Sequence, residues 1–191
     1  MYDLVLASGS EYRKIQLQQL RVDFQTHVPG IDESSHDNEP PGDLSLRLAS
    51  SKAQKVKVIY PGAVVIGSDQ VCAFKGQVFG KPGGEMQCRE QLHIFSNNCI
   101  EFFTSLCVLD INGIESIHTD VTEVKFRELS SQEINRYIKL EQPFDCAGGF
   151  KVESLGLSLF ESVSSKDPSA LIGLPLIKLC EFLRQSGISI P

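Results

Sequence analysis

Asn112-Gly113 separates two long strand-like segments, 99–110 and 114–126. Such a pair is the strongest short signal for a β-hairpin, because these residue types tolerate the backbone that a tight turn needs. Two long antiparallel strands are therefore predicted, and any fold for this chain has to be built around them. Ala63-Val64-Val65-Ile66 is continuously apolar, the mark of a strand covered on both faces. Residues 2–7 read as another buried strand, 24–28 as a short one and 155–163 as the last.

Helical stretches fall between these strands. One is expected over 11–21 with Ser10 as its cap, and one over 43–57 started by Asp43. A third follows the Gly-rich turn 80–84 and spans 85–95. Ser130-Ser131-Gln132-Glu133 is a capping box that opens a helix running to about residue 140. Pro168 and Pro175 each open a helical stretch, the second ending near Gly187. Strands and helices alternate, so the class is α/β with a mixed sheet. The 191 residues suffice for one domain with its own core. The polar, acidic segment Pro29–Gly42 is the largest irregular piece; it lies too early for a domain linker and reads as a functional loop.

A net charge of −6 argues against a general nucleic-acid binder, yet leaves room for phosphate in a local basic pocket. The six cysteines contain no C-x-x-C pair and read as small reduced core residues of a cytosolic protein. No basic, apolar leader and no long apolar segment is seen, so neither a signal peptide nor a membrane span is expected. The four histidines lack metal-like spacing and no Gly-x-Ser-x-Gly elbow occurs, which leaves nucleophilic hydrolase chemistry without support.

Chemistry is suggested by charges on the wrong faces. Arg13, Leu17 and Leu20 share one helical face, so Arg13 sits at the N-terminal rim of an apolar stripe. With the Ser8-Gly9-Ser10 turn and the free N–H groups of the helix start, it converges on something negative, most simply a phosphate; a solvated Arg snorkelling off the core edge is the alternative. Lys52 lies in a row with Leu48 and Val56, and an ammonium there should reach a carboxylate or a ligand. Asp69 in Gly67-Ser68-Asp69-Gln70 is expected where a buried strand leaves the sheet, with Gly67 letting a ligand approach the backbone. Asp32-Glu33 opens the polar loop, and such carboxylates suit Mg²⁺. Gly76 to Pro82 fails as a P-loop, because the glycines are one residue too close and Pro82 replaces the Ser/Thr, but Lys81 still stands on a constrained turn.

Together these segments resemble the Maf family of nucleoside triphosphate pyrophosphatases over nearly the whole chain. The resemblance is carried, in order, by Leu6-Ala7-Ser8-Gly9-Ser10 with Arg13, Asp32-Glu33, Lys52-Ala53, Gly67-Ser68-Asp69-Gln70-Val71, Gly80-Lys81-Pro82, Ala147-Gly148-Gly149-Phe150 and Gly173-Leu174-Pro175. It implies one domain over 1–191 similar to the inosine triphosphate pyrophosphatase superfamily, an elongated mixed sheet flanked by helices with a cleft between two lobes. It also implies a divalent cation (Mg²⁺ or Mn²⁺), a small nucleoside triphosphate substrate, a cytoplasmic location and a homodimer. Within the family, Tyr12, Gln70 and Glu153 resemble the bacterial 7-methyl-GTP pyrophosphatase subgroup, whereas members acting on dTTP and UTP usually carry Ser-Pro-Arg-Arg where this chain has Ser10-Glu11-Tyr12-Arg13. Glu11 departs from the usual proline.

The resulting expectation is hydrolysis of the α–β phosphoanhydride of a modified nucleotide. Ser8, Ser10, Arg13, Lys52 and Lys81 would hold phosphates, Glu33 and Asp69 would bind metal, and Asp69 would accept the proton of the attacking water. The alternatives are a dTTP/UTP enzyme, disfavoured by the Tyr12/Gln70/Glu153 trio, and a catalytically silent regulator of cell division, disfavoured by intact Asp69, Lys52 and Lys81.

Overall fold

A computed structural model describes residues 4–191. The chain begins with β1 (Leu4–Leu6), α1 (Glu11–Gln18), β2 (Gln25–Thr26) and α2 (Pro41–Lys57). It continues through β3 (Val64–Phe74), β4 (Gln77–Phe79), α3 (Glu85–Phe95) and the hairpin β5 (Cys99–Leu109) and β6 (Glu115–Phe126). Last come α4 (Ser131–Glu141), β7 (Phe160–Ser164) and α5 (Leu176–Gln185). The seven strands form one sheet in the order β2-β1-β3-β5-β6-β7, with β4 added to β3. Pairing is parallel between β1 and each of β2 and β3, and antiparallel elsewhere, so the sheet is mixed as expected.

Several elements differ from the sequence reading. Residues 2 and 3 of the first expected strand lie outside the described residues. The β5–β6 turn is wider than two residues, since Leu109 pairs with Glu115. Asp110 organises it by accepting the Asn112 and Ile114 N–H groups at 2.8 and 2.7 Å. α1 stops at Gln18, and Arg21 then adopts a left-handed φ of 53°. α2 begins at Pro41, with Asp43 in its first turn rather than capping it; Pro is preorganised for that start, and a carboxylate is favoured there. Residues 155–159 are a 3₁₀ turn, not strand. The alternating leucines there mislead: Leu159 is buried, while Leu155 and Leu157 are exposed. Glu141 pins this turn by accepting from Ser154 Oγ at 2.7 Å and Leu155 N–H at 3.2 Å. Pro168 is followed by a 3₁₀ turn at Ala170–Ile172, and Pro175 caps α5 instead of occupying its first turn. Cys72, Cys88 and Cys107 are buried free thiols, but Cys99 is exposed.

The topology leaves a gap beside β3. On one edge β5 accompanies β3 without a break from Val65 to Ala73. On the other edge β1 ends opposite Ile66 and β4 begins only opposite Cys72. Residues 67–71 thus keep one edge free in mid-strand. The core divides on either side of this gap. Leu4, Leu6, Leu17, Leu106 and Leu183 pack in one cluster, and Phe95, Phe102, Phe126 and Phe150 in another. Edge-to-face ring contacts at 4.8–5.8 Å link Phe126, Phe150 and Phe160, a geometry favoured by ring quadrupoles.

Candidate active site

A cleft of about 740 Å³ opens at the gap in β3. Asp69 projects into it from mid-strand, which corrects the expectation that it lies where the strand leaves the sheet. Strand pairing to β5 carries β3 onward past Gly67. Gly67 also serves a different purpose from the one expected. A Cβ there would lie 2.2 Å from the Ala49 carbonyl oxygen and 2.8 Å from Ala53 N. It is α2, not a ligand, that approaches this backbone.

That close approach brings Lys52 to Asp69. Lys52 is only 5% exposed, and its ammonium lies 2.6 Å from Asp69 Oδ1 and 2.8 Å from Glu33 Oε1. The misplaced lysine on the apolar face of α2 therefore ends between two carboxylates. Burial pushes the Asp69 carboxyl above its usual range, against the pull of Lys52 and Arg13. Burial also acts on Glu33, but the hydrogen bond and charge of Lys52, with Lys81 and Arg13 beyond, hold it below its usual value.

The start of α1 also lines the cleft. Ser10 caps the helix by accepting Arg13 N–H at 3.4 Å, and the Ser10 N–H donates to buried Ser8 Oγ at 3.1 Å. Arg13 Nε donates to the Gly173 carbonyl at 2.8 Å. This bond fixes the guanidinium plane and leaves both Nη groups without a hydrogen-bond acceptor among the described residues. Burial lowers the Arg13 pKa, and Asp69 and Glu33 oppose that shift. Lys14 turns outward to Glu11 at 3.4 Å, so of the two early cations only Arg13 serves the cleft. Lys81 lines the cleft from the turn after β4. The neighbouring Gly80 carbonyl accepts from Gln91 on α3 at 3.0 Å.

Tyr12, Gln70 and Glu153 also line the cleft. The Cys146 thiol donates to Tyr12 Oη at 3.7 Å, and burial raises the Tyr12 pKa. The Gln70 amide nitrogen is shared among Thr104 Oγ1 and the Ala170 and Leu171 carbonyls at 3.1, 3.1 and 2.9 Å. Its carbonyl oxygen is consequently the atom left for a ligand. Glu153 is exposed, in the turn between Phe150 and the 3₁₀ segment. All ten expected site residues thus share one cleft, while Asp32 does not line it and accepts Ser34 N–H at 2.9 Å in a local turn.

Three supports of the site are not among the residues expected from the sequence. Gln16 lies on the same face of α1 as Arg13, is buried, and donates to the Ser169 and Leu174 carbonyls at 2.8 and 3.3 Å. Its place three residues after Arg13 on an apolar face was the available signal. Ser68 Oγ donates to the Gly173 carbonyl at 2.9 Å. Thr104, brought alongside by the β3–β5 register, donates to the Ala170 carbonyl at 3.0 Å.

The donor set suits a hard cation. Glu33 and Asp69 direct oxygens to one point, now spanned by Lys52, and Asp69 Oδ2 has no donor among the described residues. No cage of three or more Asp, Glu, His or Cys exists among the described residues. Mg²⁺ sites commonly consist of one or two carboxylates completed by substrate phosphates and water, so this pair fits.

A mixed sheet interrupted by a cleft lined by Arg13, Lys52 and Lys81, the Glu33 and Asp69 carboxylates and Tyr12 describes an α/β protein with a polar, charged site. The chain matches the family described as Maf-like protein over residues 3–186, and it belongs to that family. It is 45% identical over 188 residues to the 7-methyl-GTP pyrophosphatase of Xanthomonas campestris pv. campestris (strain 8004), covering 98% of each chain. It is likewise 45% identical over 189 residues to the 7-methyl-GTP pyrophosphatase of Hydrogenovibrio crunogenus (strain DSM 25203 / XCL-2), covering 98% of this chain and 94% of that one. Among solved structures, a HAM1 protein from Coxiella burnetii aligns with a TM-score of 0.54 at 15% identity, over 97% of this chain and 100% of that chain. The overall fold is thus the one implied by the sequence resemblance. No described helix is long and apolar enough to cross a membrane.

Proposed function

We propose that this protein hydrolyses 7-methyl-GTP to 7-methyl-GMP and pyrophosphate, removing a modified nucleotide. The observation that carries the reading is the Glu33–Lys52–Asp69 constellation, which shares one cleft with Arg13 and is electrostatically coupled to it. Near full-length likeness to proteins named for that activity supports it.

Phosphoryl transfer depends on positioning and charge neutralisation more than on covalent chemistry by the protein. The Ser8–Ser10 turn, the free Nη groups of Arg13, and Lys52 and Lys81 supply N–H donors and positive charge for a triphosphate. Glu33 and Asp69 would hold a divalent cation, whose chemistry is to neutralise phosphate charge and acidify a water. Asp69 accepts the proton of the attacking water, a role suited to a carboxylate made more basic by burial. The Lys52 ammonium, paired here with Glu33 and Asp69, adds positive charge at the point where the phosphates would meet these carboxylates.

N7-methylation makes guanine cationic, while its N1–H and N2–H remain donors. Tyr12 supplies an electron-rich face, Glu153 a carboxylate, and Gln70 an acceptor oxygen whose direction is set by the three bonds of its amide nitrogen. A homodimer in the cytoplasm belongs to the same reading, on the strength of family membership. The test is pyrophosphate release from a panel of normal and methylated nucleoside triphosphates with Mg²⁺ or Mn²⁺. The wild type should prefer 7-methyl-GTP over GTP by roughly tenfold to a hundredfold. Tyr12→Ala and Glu153→Gln should each shrink that ratio. Equal turnover of both nucleotides, or variants that keep the wild-type ratio, would show that these residues do not read the base.

A further inference from the structure

We infer that Asp167 is a positioning residue for the proposed reaction, holding the turn whose carbonyls aim Arg13 and Gln70 into the cleft. The inference rests on that reading for its kinetic consequence, but its structural basis is independent. Asp167 is 4% exposed and does not line the cleft. Its carboxylate is consumed locally. Oδ1 accepts the Ser169 N–H at 2.9 Å and the Ser169 hydroxyl, and Oδ2 accepts the Ile177 N–H at 2.8 Å. Ser169 Oγ in turn accepts the Leu176 N–H at 2.7 Å. Leu176 and Ile177 are the first residues of α5, whose cap Pro175 offers no side-chain acceptor. Two side chains from before the turn thus satisfy N–H groups after it, and both ends of the 169–176 segment are clamped together.

Between the clamped ends, the carbonyls face the site. Gly173 O receives Arg13 Nε at 2.8 Å and Ser68 Oγ at 2.9 Å, the latter from the residue next to Asp69. Ala170 O and Leu171 O receive the Gln70 amide at 3.1 and 2.9 Å, and Ser169 O receives Gln16 at 2.8 Å. One turn therefore orients both the cation proposed for phosphate and the amide proposed for the base. A change in its shape moves both, although neither touches Asp167.

Asp167→Asn is close in volume to the wild type, but its NH₂ cannot accept on one of the two sides. With a melting midpoint still above the assay temperature, the kcat/KM ratio of 7-methyl-GTP to GTP should fall about three- to tenfold, with KM rising more than kcat falls. In the nucleotide-free protein, the Arg13 Nε–H and Gln70 side-chain amide resonances should shift and lose protection from exchange. Ser169→Ala removes the carboxylate's hydroxyl partner and should move the same readouts in the same direction, which decides the matter if Asp167→Asn does not fold. Unchanged Arg13 and Gln70 resonances together with a retained ratio would overturn the inference. If the wild type shows no preference for 7-methyl-GTP, the substrate reading fails instead, and the two resonances alone decide the role of Asp167: shifted supports it, unshifted overturns it.

Discussion

Lys52 and Asp69 make opposite demands on stability and activity. Lys52→Met leaves Asp69 buried without its 2.6 Å partner, which should cost roughly 1–3 kcal/mol. Loss of a preorganised cation should also lower turnover about 10²–10³-fold. Kinetics measured beside thermal melts would separate this from a lysine that merely shields the core, for which only the melt would move. Asp69→Asn has a different signature. Lys52 keeps its 2.8 Å bond to Glu33 and a buried negative charge is removed, so the melting midpoint should fall less than in Lys52→Met, while turnover falls roughly 10²–10⁴-fold. Near-normal turnover in that variant would refute the proton-accepting role. These two residues were legible because 100° periodicity puts Lys52 among apolar neighbours and because Asp69 follows an apolar run. Asp167 was not, since Asp-Pro-Ser reads as an ordinary helix start and its partners lie up to ten residues on. Gln70 lines the cleft, but the direction of its amide depends on carbonyls a hundred residues away.

Elements meet the site where α2 lies against β3. Gly67 lets α2 lie against β3, and Gly67→Ala would force apart a helix whose Ala49 carbonyl stands 2.2 Å from the new methyl. Overpacking of this kind costs about 1–3 kcal/mol. The displaced helix should also separate Lys52 from Asp69, so turnover should fall together with the melting midpoint; a normal enzyme with a normal melt would contradict the packing argument. α4 offers a test of pH dependence away from the cleft. Glu133 accepts from Ser130 N–H and Oγ and from Arg127, and these bonds depress its pKa from 4.5 to about 2. A depressed carboxyl stabilises the fold above its unfolded value and loses that contribution as pH falls toward the folded one. The melting difference between wild type and Glu133→Gln should therefore be largest near neutrality and close between about pH 4.5 and 2; a constant difference would show that the charge is irrelevant. This capping box was readable from four consecutive residues because all its partners are local. The 155–159 turn was not, because Glu141 on α4 decides its path.

At the scale of the whole molecule, the sheet makes the site by what it omits. β1 and β4 share one edge of β3 without meeting, and the five residues between their registers are where the chemistry gathers. Alternating strands and helices were enough to expect a mixed α/β sheet. The gap was not readable, since it depends on where β1 stops relative to a strand sixty residues later. The proposed reaction is cleavage of the α–β phosphoanhydride of a methylated guanine nucleotide in this cleft. Chromatography of the products formed from 7-methyl-GTP by the wild-type protein with Mg²⁺ or Mn²⁺ tests it most directly. The expected products are 7-methyl-GMP and pyrophosphate in equal amounts, with formation of both lost in Asp69→Asn. Release of orthophosphate with 7-methyl-GDP, or no turnover of 7-methyl-GTP at all, would contradict it.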